Sequence, residues 1–265
     1  MQRVAYRVRA YNTALAVENK IHDDVVARRL GFRGGLVPGV DVYAYLTHPI
    51  VARWGRGWLE RGAVSVRFLK PVYDGEHVAV TGILEDGDVL AIEVRNPDAV
   101  LCATARATLP HVAPSSPEVD AYPLAALPAQ RPAASPDSLL PGTLLGSFAS
   151  GFHAERAPEY LTDVRETLAI YREQRIAHPG YLLRNANYIL GANVTLGPWI
   201  HVGSDVQHYA TAADGDCIST RGRVASAYER KGHRFVELDL LMVANDTRPL
   251  VHVHHVAIYQ PRLGT

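Results

Sequence analysis

Cysteine is nearly absent from this chain: of 265 residues only Cys102 and Cys217 carry a thiol, with no Cys-x-x-Cys spacing. That excludes a zinc ribbon and a secreted disulfide framework, and reduced thiols point to the cytoplasm. Net charge is lacking as well, since 27 Lys and Arg stand against 27 Asp and Glu. Without a basic excess, neither nucleic acid nor a membrane surface is expected as a partner. No 18 apolar residues follow one another, and the arginines near the start precede no apolar run of signal-peptide length, so no spanning or secretory segment is expected. The Gly-x-Gly-x-x-Gly fingerprint, the Walker loop and the Gly-x-Ser-x-Gly elbow are also missing, and no cofactor is expected.

What the chain does have is enough apolar material, 48% against 20% charged, to bury a full core without a metal or a staple. It also has a belt of prolines at 110, 114, 117, 123, 128, 132, 136 and 141. Such a belt holds neither helix nor central strand, so residues 110–142 read as an extended connector along a surface, between repeats at 1–109 and 143–265.

The flanking halves echo each other. Pro38-Gly39, Trp58, Gly62 and Asp74-Gly75 recur as Pro179-Gly180, Trp199, Gly203 and Asp214-Gly215 with one slipped residue. In the first half, apolar residues at 40, 43, 46, 50 and 54 form a helical stripe, which Pro49 should kink or shorten. From Ala63 the period becomes two, with Val64, Val66 and Phe68 on one face. Strands follow over 77–84, 89–95 and 99–109, with turns at Asp74-Gly75, Asp86-Gly87 and Asn96-Pro97. The second half repeats the order: a helix over 181–194, then strands over 201–209, 217–228, 234–243 and 250–260. One long helix on an antiparallel meander, twice over, is an α+β architecture.

Ahead of the first helix lie Asn19-Lys20-Ile21-His22-Asp23-Asp24 and Gly34-Gly35-Leu36-Val37-Pro38-Gly39. This block, together with the duplicated layout, resembles the MaoC-like acyl dehydratases and R-specific enoyl-CoA hydratases, which have a double hotdog fold. The resemblance implies a hydratase or dehydratase acting on an enoyl or 3-hydroxyacyl thioester, carried by CoA or an acyl carrier. The family signature Asp-x-Asn-Pro-x-His is matched by Asn19 and His22, while Lys20 stands in the Pro position and Val17 in that of the catalytic Asp. Counted back from Pro179-Gly180, the second half offers Tyr160 and Asp163 instead, so one site per chain is implied, in the first half.

In that reading His22 is base or acid, its ordinary pKa near 6.5 matching the task. Asn19 orients water or substrate, and Asp24 substitutes for the missing carboxylate. Gly39, next to Val37 and Asp41 in the substrate-binding set, presents a helix N-terminal N–H to the thioester oxygen and has no side chain to block its approach. Each residue also has a structural use. Asp23 or Asp24 can cap a helix, with Asp24 preferred; His22 can hold a structural hydrogen bond; Asn19 can close a turn; Gly39 can serve helix–sheet packing.

Two other functions stay open: a non-catalytic acyl-thioester binding or scaffold protein, and a hotdog thioesterase recruiting Asp41 or Asp24. His252 and His254 share a strand face, but no Cys, Asp or Glu stands near them in sequence to complete a metal site. His178 occupies the helix-entry position of the second half. Arg67, Lys70 and Arg106 read as a solvated sheet face. A homodimer is expected from the need to cover sheet edges.

Overall fold

A computed structural model describes residues 3–14, 18–85 and 88–262. Val17 and the Asp86-Gly87 turn lie outside the described residues. The first repeat begins with β1 (Arg3–Arg9), then α1 (Asp24–Arg29), α2 (Gly39–Arg61), β2 (Ala63–Phe68), β3 (His77–Glu85), β4 (Val89–Arg95) and β5 (Leu101–Thr108). The second has β6 (Leu144–Gly151), α3 (Ala157–Asp163), α4 (Ile170–Glu173), α5 (Pro179–Asn193), β7 (Ile200–His208), β8 (Cys217–Arg230), β9 (His233–Ala244) and β10 (Arg248–Gln260). This is a double hotdog, an α+β fold in which each sheet half curls around one helix.

All ten strands form one antiparallel sheet in the order β1-β3-β4-β5-β2-β7-β10-β9-β8-β6. The two halves join where β2 pairs with β7, Val64 opposite Val206. Period-two alternation decides the inner face. In β4, Leu90, Ile92 and Val94 are buried and their neighbours only half so; in β10, Val251, Val253, His255 and Ala257 point inward. Against that face lie α2 and α5, which contribute Tyr43, Leu46, Ile50, Leu183, Ala186 and Ile189 to one continuous core. Ala44 of α2 sits so close to Gly180 of α5 that a β-carbon on the glycine would stand 3.0 Å from it.

The sequence landmarks are equivalent in part. Gly75 donates to Ala10 and Gly215 to Phe152, while Asp74 and Asp214 accept from Asn12 and Ala154 by the same geometry. Val37 donates to Val72 as Ala177 does to Ala212. These pairings set Pro38 against His178, the two residues that immediately precede α2 and α5, so the Pro-Gly match is displaced by one residue. Trp58 lies inside α2 and Trp199 ahead of β7; that match does not hold, because α2 has 23 residues and α5 has 15.

One expectation needs correction, and two strands were missed. Pro49 does not break α2; the helix is interrupted at Gly55, whose φ of 56° and ψ of −143° leave the helical region. The first strand of each repeat, β1 and β6, was not anticipated, since neither Arg3–Arg9 nor Leu144–Gly151 has turn signals on both sides. The prolines at 110–141 fall between β5 and β6, and the segment is anchored. Tyr122 is buried against Leu241 and Val243, Ala134 and Thr195 share backbone hydrogen bonding with Pro132, and Ser147 of β6 donates to Ala125.

Candidate functional site

Asn12 and Ala154 are equivalent points on the two repeats, yet α3 begins three residues after Ala154 and α1 twelve residues after Asn12. The additional stretch in the first repeat contains the 3-10 turn Lys20–His22, and it is this turn that carries Asn19 and His22 to the entrance of α2. Tyr160 and Asp163 lie in α3, a helix, and form no second copy of the turn.

His22 is held by its δ nitrogen, 2.7 Å from the carbonyl oxygen of Leu36. Only an N–H can face a carbonyl, so the proton is on Nδ1 and Nε2 keeps its lone pair. Burial lowers the imidazole pKa, partly offset by the Leu36 hydrogen bond and the charge of Asp41, and the neutral base is thereby favoured. The neighbour of Nε2 is the Asn19 amide nitrogen at 3.4 Å. No carboxylate bonds to His22 among the described residues.

Asn19 is bound on all sides. Its Oδ1 accepts from Ile21 and from Trp199 N–H, and its Nδ2 donates to the Trp199 carbonyl at 3.0 Å. That amide–backbone clamp ties the 3-10 turn to the start of β7, so Asn19 is a fastener between the two repeats as well as the donor nearest to His22. Asp24 stands apart: one oxygen accepts from Gly35 N–H at 2.8 Å and the other pairs with Arg28 in solvent. The cap of α1 is Asp23, which accepts from Val25 and Val26, correcting the preference for Asp24.

His22 stands between two cavities. The larger, about 480 Å³, lies between the 3-10 turn, the start of α2 and the exposed face of α5, and is lined by Thr13, Val40, Phe148, Arg184, Asn187 and Trp199 among others. The smaller, about 110 Å³, holds His22, Val37, Gly39 and His201. Gly39 opens α2, where the first N–H groups have no acceptor within the helix. A β-carbon there would come within 2.9 Å of His201 Nδ1 and 3.2 Å of Phe68, so packing also demands a glycine.

Asp41 is fully buried in the first turn of α2. It accepts from Thr13 Oγ1 at 2.6 Å and pairs with Arg184 of α5 at 2.8 Å. Burial alone would lower the Arg184 pKa, but Asp41 outweighs it and keeps the guanidinium charged. Asp41 therefore reaches the large cavity through Thr13 and Arg184, which line it, and not directly.

Sequence reading missed Arg184, Thr13 and His201. Each comes from a part of the chain outside the 19–39 block, and no local pattern marks it. His201 donates through Nε2 to Gly203 and Ser204, and Ser204 bridges to His255 at 3.0 Å; burial takes the His201 pKa down to about 3. His178 caps α5, accepting from Gly180 N–H, and faces the buried carboxylate of Glu166. On the outer sheet face, carboxylates distant in sequence do approach the paired histidines: His252 meets Asp239 at 2.6 Å, and His254 meets Glu237 at 3.1 Å. Arg67 pairs there with Asp205, and Arg106 with Glu85.

No protein-family model and no curated protein matches the sequence. Solved structures match in fold. A protein from Chloroflexus aurantiacus described as a MaoC domain dehydratase superposes with a TM-score of 0.64 at 13% identity, over 99% of this chain and 95% of that one. A Mycobacterium tuberculosis protein with a double hotdog fold gives 0.61 at 15% identity, over 97% and 95%. A Lactobacillus plantarum protein described as an oleoyl thioesterase gives 0.51 at 12%, over 98% of each chain.

Proposed function

We propose that the protein is an acyl-thioester hydratase or dehydratase with a single site per chain, in the first repeat. What carries this reading is His22: neutral, fixed through Nδ1, its Nε2 lone pair met by the Asn19 amide at a long 3.4 Å, beside the N-terminus of α2 and a cavity large enough for an acyl chain. In hydration, Nε2 takes a proton from water as the oxygen bonds to C3 of an enoyl thioester. The electron pair moves to the thioester oxygen, where the unpaired N–H groups at Gly39 and Val40 meet the developing charge. The imidazolium then returns the proton to C2, and dehydration is the reverse. A single group handling both protons delivers oxygen and hydrogen to the same face of the double bond.

The substrate is a CoA or acyl-carrier thioester, as the dehydratase and thioesterase structures that share the fold suggest. Asp24 takes no part in this mechanism, because its oxygens are engaged by Gly35 and Arg28. Assay of crotonyl-CoA and longer enoyl-CoA esters, with 3-hydroxyacyl-CoA as product, tests the reading, and Val17→Asp should raise the rate if the family carboxylate is what the chain lacks. Binding without turnover in both proteins would identify a non-catalytic thioester-binding protein instead. Release of free CoA from saturated esters would make it a thioesterase.

A further inference from the structure

The large cavity has apolar walls from Ala14, Pro38, Val40, Phe148 and Trp199, the paired charges of Glu18 and Arg131 together with the 3-10 turn on one side, and a polar strip of α5 on another. Arg184 and Asn187, three residues apart, share a helix face and both line it. The guanidinium of Arg184 has five N–H groups. Nη2 serves Asp41 and Thr13, while Nη1 and Nε have no hydrogen-bond partner among the described residues. Asn187 Oδ1 is buried with no donor, an unfavourable condition for a polar atom. Native structures keep such an orphan mainly where something else completes it.

Donors on Arg184 and an unmet acceptor on Asn187 ask for a group that both accepts and donates. A hydroxyl does so; it accepts from the guanidinium and gives its hydrogen to Asn187, provided the amide turns about χ2 to present the oxygen that is now enclosed. A carboxylate only accepts, leaves Oδ1 unmet, and finds the Arg184 charge already balanced by Asp41. Resting on the thioester reading above, we propose that Arg184 and Asn187 make the cavity selective for acyl thioesters that carry a hydroxyl on the chain beyond the reacting carbons.

Titration calorimetry on the intact chain tests this with three series of CoA esters of four, six and eight carbons: unsubstituted, ω-hydroxy and ω-carboxy. At the chain length that reaches α5, the ω-hydroxy ester should bind about tenfold more tightly than the other two, the effect of one added hydrogen bond to a charged donor. Asn187→Leu, which leaves the Arg184–Asp41 pair in place, should bring the ω-hydroxy and unsubstituted esters within about twofold of each other. Arg184→Lys keeps a charge for Asp41 and should reduce the preference likewise. Equal affinities in all three series, or tightest binding of the ω-carboxy esters, overturn the selectivity and leave the thioester site standing. Binding of no CoA ester at all overturns both.

Discussion

With Nδ1 committed to Leu36, the lone pair that His22 can offer is on Nε2, and among the described residues Asn19 is the side chain in hydrogen-bond reach of it. His22→Gln keeps the shape and removes the proton acceptor; hydration of enoyl-CoA should drop on the order of a hundredfold or more, with Tm nearly unchanged by calorimetry. Because burial lowers the His22 pKa, the base is lost only on acidification. The rate should rise with pH through an apparent pKa below the ordinary 6.5 and then level off, where a plateau reached only above 7 would assign the proton to another group. Gly35 offers an indirect test of the same position. A β-carbon there would fall 2.1 Å from the His22 carbonyl oxygen, so Gly35→Ala must push the 3-10 turn away, and activity should suffer well beyond any loss of stability.

Among the elements, α2 and α5 share, besides their apolar packing, a largely desolvated charge pair, Asp41 with Arg184. Asp41→Asn leaves the Arg184 guanidinium buried without its counter-charge, and about 3–5 kcal/mol of stability should be lost, measured by urea denaturation. A double variant, Asp41→Leu with Arg184→Met, should recover much of it. Strand positions were legible because alternation is local: Val89–Arg95 is readable from its own seven residues. The 3-10 turn was legible in part, through Asn19 and His22, since a short signature carries it. Asp41's partner was not, because Arg184 lies 143 positions away, and β1 and β6 escaped notice because edge strands need only one neighbour and carry a weaker apolar pattern. The kink at Gly55 was masked by Pro49, the stronger helix breaker in isolation; surrounded by Leu46, Ile50 and the rest of the core, the helix tolerates it.

For the molecule as a whole, the histidines in the interior set the response to acid. His178, His201, His208 and His255 are all buried, and burial lowers the pKa of each, to about 3 for His201 and His208. A folded-state pKa below the unfolded one gives stability that is present above pH 6.5 and lost as pH falls, because the unfolded chain takes up the protons first. At pH 5, His201 and His208 each cost about 2 kcal/mol by this route. His254 works the other way, its pKa raised first by Asp205, but it is one half-exposed group against four interior ones. Thermal unfolding followed by circular dichroism should show Tm falling steeply from pH 7 to pH 5, and a flat profile would mean that these imidazoles find water or protons in the folded state.

The ten-stranded sheet ends in two open edges, β1 and β6, and the proline-rich connector lies along the second. Ser147 donates to Ala125 through its backbone and accepts from it through its hydroxyl. A bare strand edge is a template for another molecule's strand, and prolines are the residues least able to extend such pairing. The connector is thus placed where it would hinder strand addition at β6. Replacing residues 120–130 by a glycine-serine chain of equal length should leave the His22 site intact while light scattering on warming begins several degrees below the onset for the natural chain.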